Sequence, residues 1–158
     1  MIIRNGIASD AAPIAEFWSL QIAKTSITFS SDPKRAGDVA QMIAQRPCFL
    51  VAELEEQTVG FITYDNFRDG TGYKHTKELT IILAPVAQRQ GAGRALLKAA
   101  IERARAQDVH VLVAGVSGEN TNAIAFHKRM GFEQAGVMPQ VGRKFGRWMD
   151  LVLLQKML

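Results

Sequence analysis

The fold of this chain is most constrained by a strand, a glycine-containing loop and a long helix that follow one another within residues 79–107. Leu79–Leu83 is an apolar run that predicts a strand, and Pro85 stops it. The stretch QRQGAGRALLKAAIERARAQ then carries Gly91 and Gly93 near its start and continues as a helix. Backbone N–H groups at a helix start have no intrahelical partner, and glycine lets a ligand approach them closely. The loop therefore predicts an anion site.

The glycine spacing excludes two common phosphate-binding loops. No Gly-Lys-Ser/Thr follows, so the loop is not a Walker loop, and Leu96 stands where a dinucleotide fingerprint requires its third glycine. A tight turn into a helix also requires glycines in this arrangement. Taken alone, the loop leaves that alternative open.

Strands and helices alternate along the rest of the chain, which predicts one α/β domain around a central sheet. Ile14, Phe17, Trp18 and Ile22 form an apolar stripe on the first helix, which Asp10 is expected to cap. The predicted strands cover residues 1–7, 49–54, 58–67, 78–83, 109–116, 132–138 and 148–156, and the predicted helices cover residues 10–23, 32–45, 91–106 and 122–130.

Composition excludes several other kinds of site. One cysteine and three scattered histidines provide neither a disulfide nor a metal-ligand spacing, and no apolar run is long enough to span a membrane. The N-terminal MIIRNGIASD has no signal-peptide pattern, so we expect a cytoplasmic protein. The net charge of +4 fits a phosphate-bearing small ligand and does not by itself require nucleic acid. We expect no metal, nucleic-acid or membrane partner.

A second motif, in residues 119–132, indicates which kind of anion site the loop forms. ENTNAIAFHKRMGF (119–132), together with Gln88-x-x-Gly91-x-Gly93, resembles the two signatures of the GNAT superfamily of N-acetyltransferases. SITFSSDP (26–33), FRDGTGYKHTKE (67–78) and MPQVGRKFGRWMDLVLLQ (138–155) resemble the phosphinothricin and methionine sulfoximine/sulfone acetyltransferases within it. The resemblance implies a single GNAT-like domain over residues 1–158, with a mixed, mostly antiparallel sheet flanked by helices.

The resemblance also implies that acetyl-CoA is the co-substrate and which residues bind it. The strand segment beside the pantetheine arm would be Ile81, Ile82 and Leu83. The pyrophosphate would lie in the loop formed by Arg89, Gln90, Gly91, Ala92, Gly93 and Arg94. Asn120 would bind the cofactor farther along, and Arg129 would either reach its phosphates or remain an ordinary solvated residue.

Three residues are implied in catalysis. Glu78 would remove a proton from the acceptor amine, directly or through water, and the Leu83 N–H would stabilise the oxyanion. Many members of the superfamily have a tyrosine four residues before the glycine of Gly-Phe, where this chain has His127. His127 would either donate a proton to the departing thiolate or pack beside the cofactor while water does so.

The resemblance also implies an acceptor site formed by Phe29, Arg68, Thr71, Gly72 and Tyr73. Arg68 would suit a carboxylate or an oxyanion of the acceptor. We therefore expect acetylation of the α-amino group of a small amino acid or analogue, by direct transfer in a homodimeric enzyme. Methionine sulfone, methionine sulfoximine and phosphinothricin are the expected acceptors. The alternatives are another amine (a polyamine, an aminoglycoside or a protein N-terminus) and a coenzyme-A-binding regulatory module without turnover.

Overall fold

The computed structural model describes residues 1–158 as one seven-stranded sheet with four α-helices. The strands are β1 (Ile2–Asn5), β2 (Cys48–Leu54), β3 (Gln57–Asn66), β4 (Thr76–Leu83), β5 (Val111–Ser117), β6 (Glu133–Lys144) and β7 (Arg147–Met157). The helices are α1 (Ala11–Lys24), α2 (Ala36–Gln45), α3 (Ala92–Ala106) and α4 (Thr121–Arg129). The spatial strand order is β1-β2-β3-β4-β5-β7-β6. The predicted fold class and the mixed, mostly antiparallel sheet are confirmed.

The sheet has one parallel pair of strands, β4 and β5, and these strands are hydrogen-bonded over only part of their length. Their pairing runs from Thr76↔Val111 to Leu79↔Ala114 and stops there, whereas both strands continue. All other neighbours are antiparallel. A slot therefore opens in the middle of the sheet between residues 80–83 of β4 and 115–117 of β5.

Helices cover both faces of the sheet. Phe61 of β3 packs against Phe17 and Trp18 of α1. Tyr64 points to the other face, as strand alternation requires, and its hydroxyl donates to Gln107 Oε1 at the end of α3, 2.6 Å away. α4 lies on the α3 side, where a Cβ at Gly93 would meet the ring of Phe126 at 3.5 Å. The two faces are called below the α1 face and the α3/α4 face.

The predicted apolar stripe of α1 is confirmed, because all four of its residues are buried. The expected cap is wrong: the Asp10 carboxylate accepts from Arg4, from the Ile7 N–H and from Thr58 instead of from the first turn of α1. The second helix begins at Ala36, not at Asp32. The preceding segment is tied down by its own contacts, since the Lys34 N–H donates to Ser19 Oγ at 2.9 Å.

The two hairpins turn through residues in the left-handed region. The β2–β3 hairpin is confirmed and turns at Glu55 and Glu56 (φ 50° and 64°), and the β6–β7 hairpin turns at Phe145 and Gly146 (φ 52° and 73°). β6 runs on to Lys144, six residues beyond its predicted end. None of the helices is long and apolar enough to cross a membrane.

Candidate active site

A cavity of about 260 Å³ occupies the slot between β4 and β5. Trp18, Ile22 and the loop between α1 and α2 contribute its lining on the α1 face, whereas α4 contributes Asn120, Ala123 and His127. Residues 79–82 of β4 and 114–117 of β5 form its two edges. The cavity therefore joins the two faces of the sheet through the slot.

The edge of β4 presents unpaired backbone groups to this cavity. Bonds from the Ala84 N–H to Val59 O and from the Phe67 N–H to Thr76 O fix which residues exchange hydrogen bonds with β3. Because such pairs alternate in an antiparallel ladder, Ile82 is bonded to β3, whereas the N–H and C=O of Ile81 and Leu83 point into the slot. The buried Gln21 donates to Leu83 O from α1, which leaves the Leu83 N–H directed into the slot.

The predicted glycine loop lies at the start of α3, next to the end of β4. Gly91 is the N-cap of α3 at φ 82°, in the left-handed region that favours glycine, and no atom lies within 4 Å of where a Cβ would stand. A Cβ on Gly93 would stand 3.5 Å from Leu83 Cδ1, so the loop and the slot adjoin. The N–H groups of the first turn lack intrahelical partners. The loop therefore has the backbone geometry of an anion site.

The charged side chains of the loop are exposed. Arg89 (φ 62°) and Arg94 flank the glycines, and both are solvent-accessible. The Gln90 side chain donates to Val86 O at 2.6 Å and is therefore turned back into the loop. Arg129 is exposed in the last turn of α4 and does not line the cavity.

Asn120 and His127 lie on one side of α4 and face the cavity. Asn120 caps the helix, its Oδ1 accepting from the Ala123 N–H at 3.1 Å, which leaves its amide N–H₂ group to donate elsewhere. His127 is buried between the rings of Phe126 and Phe132.

The imidazole of His127 is held in one tautomer. Its Nδ1 lies 2.8 Å from Ala123 O, and a carbonyl only accepts, so the proton is on Nδ1. Nε2 is buried without a hydrogen-bond partner. Burial lowers the pKa of His127, against a smaller opposite effect of its bond to Ala123. The ring is therefore neutral and offers a lone pair at Nε2.

Glu78 lies at the rim of the slot on the α1 face. It is opposite Asp65 in the β3–β4 pairing, as Ile82 is opposite Phe61, and strand alternation puts all four side chains on the same face. Its Oε1 stands 3.0 Å from the position of a Cβ on Gly115, so the carboxylate occupies the space that this glycine leaves free. The residue as a whole is exposed and does not line the cavity, yet the groups around its carboxylate displace water, and this desolvation raises the pKa of Glu78. Sequence reasoning missed Gly115, although a glycine inside an apolar strand indicates a close approach.

The predicted acceptor residues are divided in the structure. Phe29 lines the cavity with its neighbours Ile27, Thr28 and Ser30. Arg68 and the short 3-10 turn Thr71–Tyr73, which includes Gly72, are exposed and do not line it.

Sequence reasoning also missed Lys34. Its Nζ lies 4.6 Å from the centroid of the Trp18 ring, and it is the one lysine or arginine among the lining residues, with no carboxylate among them. The cationic group of the cavity is therefore Lys34 and not Arg68.

The residues present fit a coenzyme A thioester. The slot offers unpaired strand groups at Ile81 and Leu83 to an amide-bearing arm, and the glycine loop beside it offers helix N–H groups to a pyrophosphate. No cluster of three or more metal-ligating side chains occurs in the structure.

The model of the acetyltransferase (GNAT) family matches residues 14–132. The L-methionine sulfoximine/L-methionine sulfone acetyltransferase of Pseudomonas aeruginosa is 40% identical over 97% of this chain and 92% of its own length.

Two solved structures have the same fold along their length. A ribosomal-protein-alanine N-acetyltransferase from Brucella melitensis superposes with a TM-score of 0.96 at 36% identity, over 100% of both chains. A phosphinothricin acetyltransferase from Sinorhizobium meliloti in complex with acetyl-CoA superposes with a TM-score of 0.94 at 28% identity, over 99% of this chain and 88% of the other. The chain, with its half-open sheet and glycine loop, belongs to the GNAT family of acetyltransferases.

Proposed function

We propose that this protein, as a single domain over residues 1–158, transfers the acetyl group of acetyl-CoA to the α-amino group of a small amino acid or amino-acid analogue. The observation that carries the proposal is the slot between β4 and β5, with the glycine loop next to its α3/α4 face and Glu78 on its α1 face. Two substrates can therefore enter from opposite faces and meet inside the sheet, which favours direct attack over a covalent enzyme intermediate.

The chain's residues would hold acetyl-CoA along the α3/α4 face, and the acetyl thioester is the chemistry that it supplies. The Ile81 backbone would pair with the amides of the pantetheine arm as a neighbouring strand would, flanked by Ile82. The loop from Arg89 to Arg94 would bind the pyrophosphate, mainly through the N–H groups of Ala92 and Gly93. The amide of Asn120 would donate to the arm, and Arg129 would supply longer-range positive charge.

Glu78 is proposed as the general base. An α-amino group is largely protonated near neutral pH and must lose a proton before it attacks. A carboxylate whose pKa is raised by desolvation holds that proton better than a fully hydrated carboxylate does. The Leu83 N–H would donate to the carbonyl oxygen, where negative charge develops.

His127 is proposed to contact the bound arm through Nε2. With Nδ1–H bonded to Ala123 O and the ring neutral, the residue has a lone pair to offer and no proton to give in the direction of the cavity. Water then supplies the proton that the departing thiolate takes up.

The acceptor is proposed to be anionic, because Lys34 is the cation of the cavity and lies on the same face as Glu78. A carboxylate or a sulfoximine, sulfone or phosphinate oxygen would suit it. Methionine sulfone, methionine sulfoximine and phosphinothricin fit this description and agree with the activity named for relatives. Phe29 would wall the pocket, and Thr71, Gly72, Tyr73 and Arg68 would border its entrance.

We propose a cytoplasmic homodimer. The edge hairpin β6–β7 exposes Val137, Met138, Val141, Phe145 and Trp148, which are between 46% and 58% accessible in the isolated chain. Three of these residues, Val137, Met138 and Val141, are on the edge strand β6, and exposed apolar side chains on an edge strand favour pairing with a second copy. Light scattering coupled to gel filtration tests it, and a monomeric mass at micromolar concentration would contradict it.

Thiol release from acetyl-CoA, followed colorimetrically against a panel of amines, tests the proposed function. The panel contains the three amino-acid analogues, spermidine, an aminoglycoside and an alanine-initiated peptide, because one structural neighbour is named for a ribosomal protein. Turnover confined to the analogues supports the proposal. Turnover confined to the other amines overturns the acceptor assignment, and binding of acetyl-CoA without any turnover favours a regulatory module.

A further inference from the structure

The loop between α1 and α2 forms one wall of the cavity on the α1 face. Four consecutive residues, Ile27 to Ser30, line the cavity, and Phe29 is the largest of them. This wall belongs to no strand or helix, so its position must be fixed by other contacts.

The end of β6 makes those contacts. The ammonium group of Lys144 lies 2.8 Å from both Thr25 O and Thr28 O, with the Thr28 hydroxyl at 3.4 Å. Two residues earlier, Gly142 has no side chain, and the Phe29 ring fills that space, since a Cβ there would stand 2.7 Å from the ring. β6 therefore holds the wall in two ways. The Lys144 ammonium group donates to two carbonyls of the loop, and Gly142 leaves space for the Phe29 ring.

Lys144 is a buried cation that forms no salt bridge. The residue is 4% accessible, and its ammonium group contacts the two carbonyls and the Thr28 hydroxyl, with the centroid of the Phe145 ring 5.2 Å away, but no carboxylate. A buried cation without a counter-ion costs stability, which an apolar residue in the same place would not. Burial correspondingly lowers the pKa of Lys144.

We propose that Lys144 is a positioning residue that, with Gly142, fixes the 25–30 loop as the acceptor-side wall and so sets which amine acceptors fit. This inference rests on the proposed function for the identity of the acceptor, but the wall and its clamp are features of the fold. Lys144 acts through the loop and is not expected to touch either substrate.

Lys144→Met tests the proposal, because methionine is unbranched like lysine, lacks only the atom at the position of the terminal ammonium group, and removes the donors. We expect the KM for the amino-acid acceptor to rise about tenfold or more as the wall loosens, while the KM for acetyl-CoA stays within about twofold. Hydrogen exchange of peptides that cover residues 25–30 should quicken, and exchange of the β2–β3 hairpin should not.

Two further variants make the result specific. Lys24→Met removes an exposed lysine next to the same loop and should leave both KM values and loop exchange as in the unaltered protein. Gly142→Ala displaces the Phe29 ring without altering the cation and should repeat the acceptor-selective effect. It also carries the test if Lys144→Met does not fold.

Equal rises of both KM values, or loop exchange unchanged in folded Lys144→Met and Gly142→Ala, would overturn the clamp. Failure of the unaltered protein to acetylate any amino-acid analogue would instead overturn the proposed function. The exchange measurement would then still decide whether Lys144 holds the wall.

Discussion

Gly115 should control the activity of Glu78, because the carboxylate fills the space that a side chain at this position would take. In Gly115→Ala, the added Cβ would stand 3.0 Å from Glu78 Oε1 and 3.4 Å from Leu151 Cδ1. To reach ordinary contact, the carboxylate must move by a few tenths of an ångström. Misplacement by about 1 Å can cost about a hundredfold in rate, so we expect kcat to fall about tenfold, or about 1.4 kcal/mol.

Glu78→Gln should cost more, since loss of a general base lowers the rate about 10²- to 10⁴-fold, or about 2.7–5.4 kcal/mol. The assay is steady-state thiol release by both single variants and the double variant, with the KM for acetyl-CoA as a control for damage to the slot. If Gly115→Ala acts by moving the carboxylate, it should have little further effect once Glu78 is glutamine. Losses that simply add in the double variant would refute the reasoning.

Three other predictions follow from the described contacts. Lys34→Met should raise the acceptor KM about tenfold and more than Arg68→Met does, because a charged hydrogen bond contributes about 1.5–3 kcal/mol; the reverse ranking in steady-state kinetics would favour Arg68 as the anion-binding group. His127→Phe should raise the KM for acetyl-CoA about tenfold or less and keep the shape of the pH–rate profile; loss of an alkaline limb would show that His127 is the acid. Asp10→Ala should lower the free energy of unfolding in urea by about 1.5–3 kcal/mol, since it removes a buried charged acceptor of hydrogen bonds from Thr58, the Ile7 N–H and Arg4, whereas Arg4 keeps its bond to Glu53. Burial would raise the pKa of Asp10, but the bonds from Arg4, Thr58 and Ile7 together lower it. Its stabilisation should therefore be present above the ordinary carboxyl range and be lost as pH falls through the lowered value; stability that does not decline with acidity would contradict this.

Features that depend on neighbours in sequence could be predicted. The periodicity of residues 14–22 placed α1 against the core, and Gly91 marked the start of α3 at the position where a left-handed residue is needed. The β2–β3 hairpin followed from two apolar runs around a polar turn. In each case, the residues that determine the element lie within it.

Features that depend on the spatial order of the strands could not be predicted from local sequence patterns. The slot exists because β5, which follows a helix and lies beside β4, pairs with only its first half, and no local pattern states where that pairing stops. Lys34 lines the cavity because the segment before α2 is bound to Ser19 and, farther back, to Lys144. The predicted end of β6 at Met138 coincides with an irregularity in its pairing with β7, whose register shifts between Met138 and Gly142 before the strand continues to Lys144.

The four residue pairs between β4 and β5 are the only pairing that joins two half-sheets, one of four strands and one of three. Few backbone hydrogen bonds therefore join the two half-sheets, and a molecule bound in the slot would add contacts to both of them. Occupancy would then stabilise both halves together, by an amount that grows with the logarithm of ligand concentration. The lifetime of this protein against proteases would, on that basis, follow the cell's supply of acetyl-CoA.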